Sequence, residues 1–577
     1  MPKLKASLLL LCACGVSAPG PGLDTDRVLE HVDVLTEIGP RPGDSKASGR
    51  ALAYLEGELE RAGAKPARHA VGEVELPGIE VLGTRYRQAR RARSEDPNLI
   101  VRFGPPGEPG EALLLMAHYD SVATSPGAVD NAVAVGTLIE LGRVLSVGAP
   151  ELPVILAFTA NEERGLVGAE ALAAELGAEV GLAIALDLTG GTGALSLNGA
   201  GERIGAAEMR WLADAADRAG VVVRAPLAHR VISRWWPQAE RSDHGAFTRR
   251  GIRALHLYHR GHDGEWIDRA YHSERDDRSR VVRASVDELG RLVRALVASP
   301  LPAPTGDGFW VPVADNVVVP RWLVLALDLA LAVAALVALG KLRAQPTRRG
   351  LGLLAATLCF AIAGGGAVLA ERVIAGDHVA PWLHAPLPFT LGLSLVLAGA
   401  LGLAVLAARR VRPWSGALRY VVLAVALLLA PGLALLALGA AELAWIWLGP
   451  AALLAVAAHT GPRLAIVRVV AVLLAALPLA LVLNPHQLRE AAWNGFLPTT
   501  IPLAAWLFVL GAPIALAVAW LVRRRTPLGP LGSLVLPVGC SLAILAGAGV
   551  ASLAPTPCSG ADFNEFHLAC ELPTRVR

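Results

Sequence analysis

The chain has 577 residues, with 53 Lys and Arg against 50 Asp and Glu, for a formal net charge of +3. That balance excludes the strongly basic surface a nucleic-acid partner requires, and the length exceeds one ordinary domain. Hydrophobic residues make up 54% of the chain, but unevenly: up to about residue 301 charged and apolar residues mix at soluble density, and beyond about 320 Ala/Leu/Val runs take over.

The N-terminus reads MPKLKASLLLLCACGVSAPGPG. Two lysines, a short apolar core and small residues predict a signal peptide or N-terminal anchor over residues 1–22, with Cys14 a candidate for lipidation. Residues 23–310 read as an α/β domain. Strand-length aliphatic runs occur at 99–103, 112–117, 153–159, 182–188 and 254–258, and helical periodicity at 24–38, 45–62, 131–145, 166–176, 206–219 and 285–297. Alternation of the two predicts a sheet covered on both faces, with any site at the carboxyl ends of its strands. None of the six cysteines lies between residues 15 and 358, so this region uses neither disulfides nor thiolate ligands.

Apolar segments of spanning length follow at about 320–340, 350–370, 386–408, 417–439, 441–458, 464–484, 497–522 and 531–553. Basic residues cluster after the first (Lys341, Arg343, Arg348, Arg349), third (Arg409, Arg410, Arg412), fifth (Arg463, Arg468) and seventh (Arg523, Arg524, Arg525). That alternation predicts about eight helices over 320–553, with the α/β domain and the tail 554–577 extracytoplasmic. Cys558 and Cys570 could pair there. Asp328 lies inside the first span, where a charge marks a functional site by default or pairs within the bundle, with Arg419 or Arg468 as partners.

The candidate chemistry follows the strands. His118, Asp120 and Asp130 lie in AHYDSVATSPGAVDNA, Glu162 and Glu163 in FTANEERG, Asp187 after AIAL, and Tyr271 and His272 in AYHSERDD. Two histidines and several carboxylates, without cysteine, suit a hydrolytic zinc site. A pair of zinc ions needs terminal ligands, a bridging carboxylate and a carboxylate outside the ligand set to move a proton. The inventory supplies five ligands and one base.

The set HYD, DNA, NEERGLVG, LDLTG, SDHGAF and YHSERDD, in that order over about residues 25–300, resembles the di-zinc exopeptidases of the aminopeptidase S and aminopeptidase Y type. The resemblance implies a three-layer α/β/α domain with a mixed sheet. It puts His118 and Asp187 on one zinc and Glu163 and His272 on the other, with Asp130 bridging. Glu162 becomes the base, Tyr271 an oxyanion donor, and Asp120 the residue that orients His118. A cis peptide at Asp130-Asn131 and a nearby Asp243 also follow from it. A branch that includes the endoplasmic-reticulum metallopeptidase joins such a domain to a helical bundle, and this chain is similar to it in order and hydropathy.

The implied function is a membrane-bound zinc aminopeptidase acting on peptides, with two Zn2+ per chain, a lipid-bilayer partner and no nucleic-acid partner. Its place would be a multi-pass cell membrane, or the endoplasmic reticulum in a eukaryote. The rival readings are a glutaminyl-peptide cyclotransferase, which DHGAFTRRGIRALHLY resembles, and a non-catalytic transport or scaffold protein with a degenerate peptidase domain. Tyr271, where the cyclases have tryptophan, and the His118–Asp130 spacing speak against the first; the full ligand set speaks against the second. Three features have ordinary readings: Ser242–His244 as a helix N-cap, the cluster Arg85, Arg87, Arg90, Arg91 and Arg93 as a solvated face or a contact with lipid head groups, and His256 as a packed residue or a support to the site.

Overall fold

The computed structural model describes residues 23–77, 79–81, 84–87, 89–201, 203–225, 241–260, 270–304, 311–314, 317–319 and 321–343 and, beyond these, chiefly 391–396, 398–400, 418–460, 465–475 and 511–518. Two compact units divide between Pro320 and Arg321.

In the first unit, helices α1 (Thr25–Ile38) and α2 (Lys46–Arg61) come first. Each begins where a side chain satisfies the free amides of the first turn: Asp24 accepts from Asp26 N and Arg27 N, and Ser45 and Ser48 form a reciprocal cap. Next come β1 (Ala67–His69), β2 (Gly72–Leu76), β3 (Ile79–Val81), β4 (Thr84–Arg87), β5 (Arg90–Ser94) and β6 (Asn98–Phe103). β2 with β5, and β3 with β4, form two-stranded antiparallel ribbons. Arg91 pairs with Glu73 at 3.2 Å and Arg93 with Glu95 at 3.1 Å, all well exposed, as the solvated-face reading expects.

β7 (Ala112–His118), β8 (Val154–Thr159), β9 (Val180–Leu186), β10 (Ala194–Ala200) and β11 (Ala254–Arg260) complete a seven-stranded sheet of order β1-β6-β8-β7-β9-β11-β10. The centre β8-β7-β9-β11 is parallel, and β6, β1 and β10 pair antiparallel at the margins. The sheet is therefore mixed.

Strand period dictates the layers. On β7, Leu113, Leu115 and Ala117 enter one core, and Ala112, Leu114 and Met116 the other. Val154, Leu156 and Phe158 of β8, and Leu182, Ile184 and Leu186 of β9, join the first core. Helices α1, α2, α3 (Val133–Val147), α5 (Ala206–Ala219) and α7 (Arg283–Val297) contribute to that core, and α4 (Val167–Leu176) and α6 (His244–Arg249) to the opposite one. The element boundaries expected from periodicity agree to within a few residues. The short edge strand β1, the ribbons and β10 were not anticipated.

The second unit contains α8 (Arg321–Arg343), α9 (Leu418–Ala437), α10 (Ala441–Ala457) and α11 (Ala465–Leu474). Among the described residues, Arg321–Lys341 is long and apolar enough to cross a membrane. α9 and α10 fall within the fourth and fifth expected segments, and most of the remaining segments lie outside the described residues, as do residues 1–22 with Cys14. The side chains of Cys558 and Cys570 lie outside them too.

Candidate metal centre

Three adjacent parallel strand ends deliver the site. His118 is the last residue of β7, Glu162 and Glu163 open a 3-10 turn just after β8, and Asp187 directly follows β9. β8 and β9 flank β7 on opposite sides, so the chain leaves β7 in both directions and opens a crevice at its carboxyl end. Asp130 comes from the loop between β7 and α3, His272 from the segment before α7. The backbone bends sharply around these positions: Asn161, Leu188 and His272 all have positive φ, and Asp130-Asn131 is a cis peptide bond. Gly127, at φ 61°, turns the chain into Asp130, where a Cβ would meet the Asp130 carbonyl at 2.4 Å.

The side chains converge. His118 Nε2 lies 3.2 Å from Asp130 Oδ1 and 3.3 Å from Asp187 Oδ1. His272 Nε2 lies 3.4 Å from Asp130 Oδ2 and 3.2 Å from Glu163 Oε2. Two triads result, His118/Asp130/Asp187 and Asp130/Glu163/His272, each with its donor atoms within 4.8 Å of one another. Asp130 belongs to both, one oxygen facing each histidine. A third triad by distance is His118, Glu162 and Glu163.

Such a gathering of buried carboxylates is self-repulsive without positive charge. Glu163 Oε1 is buried with no hydrogen-bond partner among the described residues. Imidazole and carboxylate donors without thiolates fit zinc. The residues present therefore suit a pair of divalent ions sharing Asp130.

Neighbouring residues hold this set in place. The Asp120 carboxylate accepts from Glu162 N at 3.1 Å and Glu163 N at 3.2 Å. His118 Nδ1 donates to the Asp120 carbonyl oxygen at 3.1 Å, while the Asp120 carboxylate is 3.6 Å away; it is through its carbonyl that Asp120 orients the ring. Asp276 accepts from Val129 N at 2.8 Å and Asp130 N at 3.2 Å. Arg41, fully buried, donates to the carbonyls of Tyr119, Leu35, Pro126 and Gly127 and so joins both halves of the loop between β7 and α3. Asn131 Nδ2 donates to the Leu186 carbonyl at 2.8 Å.

Asp243 precedes α6 without capping it; its carboxylate accepts from Thr159 Oγ1 at 2.5 Å. The simple N-cap reading of Ser242–His244 is thus replaced by a link from α6 to the end of β8. His256 Nε2 is 4.0 Å from Asp187 Oδ2. Tyr271 stacks on His272 with ring centroids 3.7 Å apart.

Electrostatics separates these acids. Burial pushes Glu162 well above the usual carboxylate range, against the pull of His118, and Asp187, Glu163 and Asp243 push it further. Burial also raises Glu163, and raises Asp243 and Asp276 to about 7 each. Burial opposes ionisation of Asp130 and Asp187 as well, but the histidines hold both below the ordinary range. Burial, then the charges of Asp130, Glu163, Glu162 and Asp187, keeps the Tyr271 hydroxyl protonated.

Sequence reasoning did not single out Arg41 or Asp276. Both serve backbone groups, so no spacing of like residues announces them. The only hints are a lone arginine between prolines in GPRPGDS and the aspartates that close YHSERDD.

Residues 98–297 match the model of Peptidase family M28. The matched stretch contains His118, Asp130, Glu163, Asp187 and His272. The vacuolar membrane protease of Schizosaccharomyces japonicus is 33% identical over 154 residues, 26% of this chain and 18% of that one. Endoplasmic reticulum metallopeptidase 1 of Mus musculus is 28% identical over 154 residues, 25% of this chain and 16% of that one. Each alignment thus spans less than a fifth of the relative's length. Among solved structures, a zinc aminopeptidase from Bacillus subtilis aligns over 48% of this chain and 96% of its own, with 15% identity and a TM-score of 0.39.

Proposed function

We propose that the chain is a membrane-anchored two-zinc aminopeptidase that removes N-terminal residues from peptides outside the cytoplasm. The observation that carries this reading is the Asp130 carboxylate, with one oxygen 3.2 Å from His118 and the other 3.4 Å from His272. His118 and Asp187 would hold one ion, Glu163 and His272 the other, and Asp130 would serve both. When bound, two such ions supply Lewis acidity and a water acidified toward neutral pH.

Glu162 stays outside the ligand set in this reading. Its buried carboxylate takes the water's proton and returns it to the departing amine. The environment that raises Glu162 supports a role in proton transfer. Tyr271 donates its hydrogen bond to the oxygen on which charge develops at the scissile carbon. Asp120 positions Glu162 and Glu163 through their amides. Asp243 ties the start of α6 to the end of β8 through Thr159. Among the described residues, the long apolar helix at 321–341 supports an anchor; the full set of eight spans and the extracytoplasmic placement belong to the proposal and rest on the alternating basic loops.

Glu162→Gln, assayed in the full-length protein with a panel of aminoacyl substrates and a zinc analysis, tests the assignment. Turnover should fall on the order of 10²–10⁴-fold with zinc content unchanged. Loss of zinc with the activity would instead make Glu162 a ligand. One zinc per chain, with cyclisation of N-terminal glutamine, would favour the cyclotransferase.

A further inference from the structure

One buried histidine takes no part in the peptidase reading. His259 is the second-last residue of β11, the strand beside β9, and is 3% exposed. Asp187, the first residue after β9, leads into Leu188, Thr189 and Gly190, a turn in which Leu188 has φ 52° and Gly190 φ 80°. A Cβ on Gly190 would lie 2.6 Å from Val133 Cγ1, so the turn is pressed against the start of α3. The chain at this point can take few paths, and the one it takes decides where the Asp187 carboxylate points.

His259 holds that turn twice. Its backbone N–H donates to the Leu188 carbonyl at 3.1 Å, and its imidazole Nδ1 accepts from Gly190 N at 3.0 Å. The Gly190 carbonyl accepts in turn from Val282 N at 2.7 Å, just ahead of α7. An imidazole nitrogen that accepts carries no hydrogen, so the ring hydrogen of His259 sits on Nε2. Nε2 faces Glu288 Oε2 on α7 at 3.6 Å and has no closer hydrogen-bond partner among the described residues. The bond from Gly190 N is therefore the one by which the ring reaches the turn. Without it a buried amide would lose its acceptor, which the interior penalises.

We infer that His259 is a positioning residue for Asp187: through the Gly190 amide it fixes the turn that aims this carboxylate at His118, and with it the ion site those two residues share. The inference rests on the two-zinc reading of the centre, and its test reads metal affinity rather than turnover.

The test titrates zinc against a competing chelator in the full-length protein, one site at a time. His272→Ala leaves the ion held by His118 and Asp187, and His118→Ala leaves the ion held by Glu163 and His272. In the first background, adding His259→Leu should weaken zinc binding about 10–100-fold. In the second, the same change should leave it unaltered. His259→Asn should restore the affinity, because its Oδ1 hangs from Cγ as Nδ1 does and accepts from Gly190 N, whereas Leu has the same branching and no acceptor. Should His259→Leu fail to fold, His259→Gln takes its place: its amide stands one bond further out and misses Gly190 N, so the same loss confined to one site is expected. Undiminished affinity in His259→Leu, equal weakening in both backgrounds, or His259→Asn as weak as His259→Leu would each overturn the assignment. A wild-type chain that binds both ions yet cleaves no aminoacyl substrate would remove the aminopeptidase reading and leave this assignment standing; one that binds no zinc would overturn both.

Discussion

At the scale of the residue, Asp120 divides two tasks between its own groups: the carbonyl orients His118 and the carboxylate holds the amides of Glu162 and Glu163. Asp120→Asn keeps the carbonyl but turns an NH2 group toward one of those amides. Zinc affinity in a competitive chelator titration should therefore fall about 10–100-fold; an unchanged affinity would mean that the carbonyl alone suffices. His31, buried on α1 and 2.7 Å from Tyr54 Oη, tests the core instead. Burial lowers it below 6.5. The folded chain then keeps His31 neutral while the unfolded chain takes up a proton, so stability present above 6.5 is lost as the pH falls. The thermal midpoint of His31→Gln should decline less on acidification than that of the wild type. Equal declines would show that His31 carries no proton linkage. His118, Glu163 and Asp187 were legible from sequence because each follows a hydrophobic strand with a donor whose chemistry is visible, whereas Asp130 and His272, on loops, stood out only through the motifs around them. Arg41 and Asp276 were not, because their partners are carbonyls and amides that any residue could offer.

At the scale of the element, the crevice depends on how closely α4 follows β8. Asn98 of β6 donates to the Gly168 carbonyl at 2.9 Å and accepts from Ala160 N at 2.9 Å, tying the turn that carries Glu162 and Glu163 to the sheet. A Cβ on Gly168 would lie 2.3 Å from Asn98 Oδ1 and 2.5 Å from the Ala160 carbonyl. Gly168→Ala should cost about 1–3 kcal/mol in stability and displace the two glutamates. A melting curve and a turnover rate both equal to wild type would show that the turn absorbs the methyl group. Central strands such as β7 and β8 were readable because they are buried on both faces and nearly all aliphatic. β1 is three residues long, and β10, ALSLNGA, is broken by an irregular pairing between Leu197 and Gly199; neither offers the run that periodicity detects.

At the scale of the whole molecule, an α/β unit and a helical unit follow one another in sequence at Pro320 and Arg321. Composition made that division visible, because the hydropathy change is a bulk property that needs no tertiary information. If α8 and its companions span a bilayer, the full-length chain should stay in the membrane pellet after an alkaline carbonate wash and leave it only with detergent; release by the wash alone would contradict the anchor. The count of bound metal tests the central claim about Asp130 most directly. Elemental analysis of the purified full-length protein should find two zinc ions per chain, one retained in His272→Ala and neither held tightly in Asp130→Ala. A single zinc in the wild type, or a full complement in Asp130→Ala, would contradict a carboxylate shared between two sites.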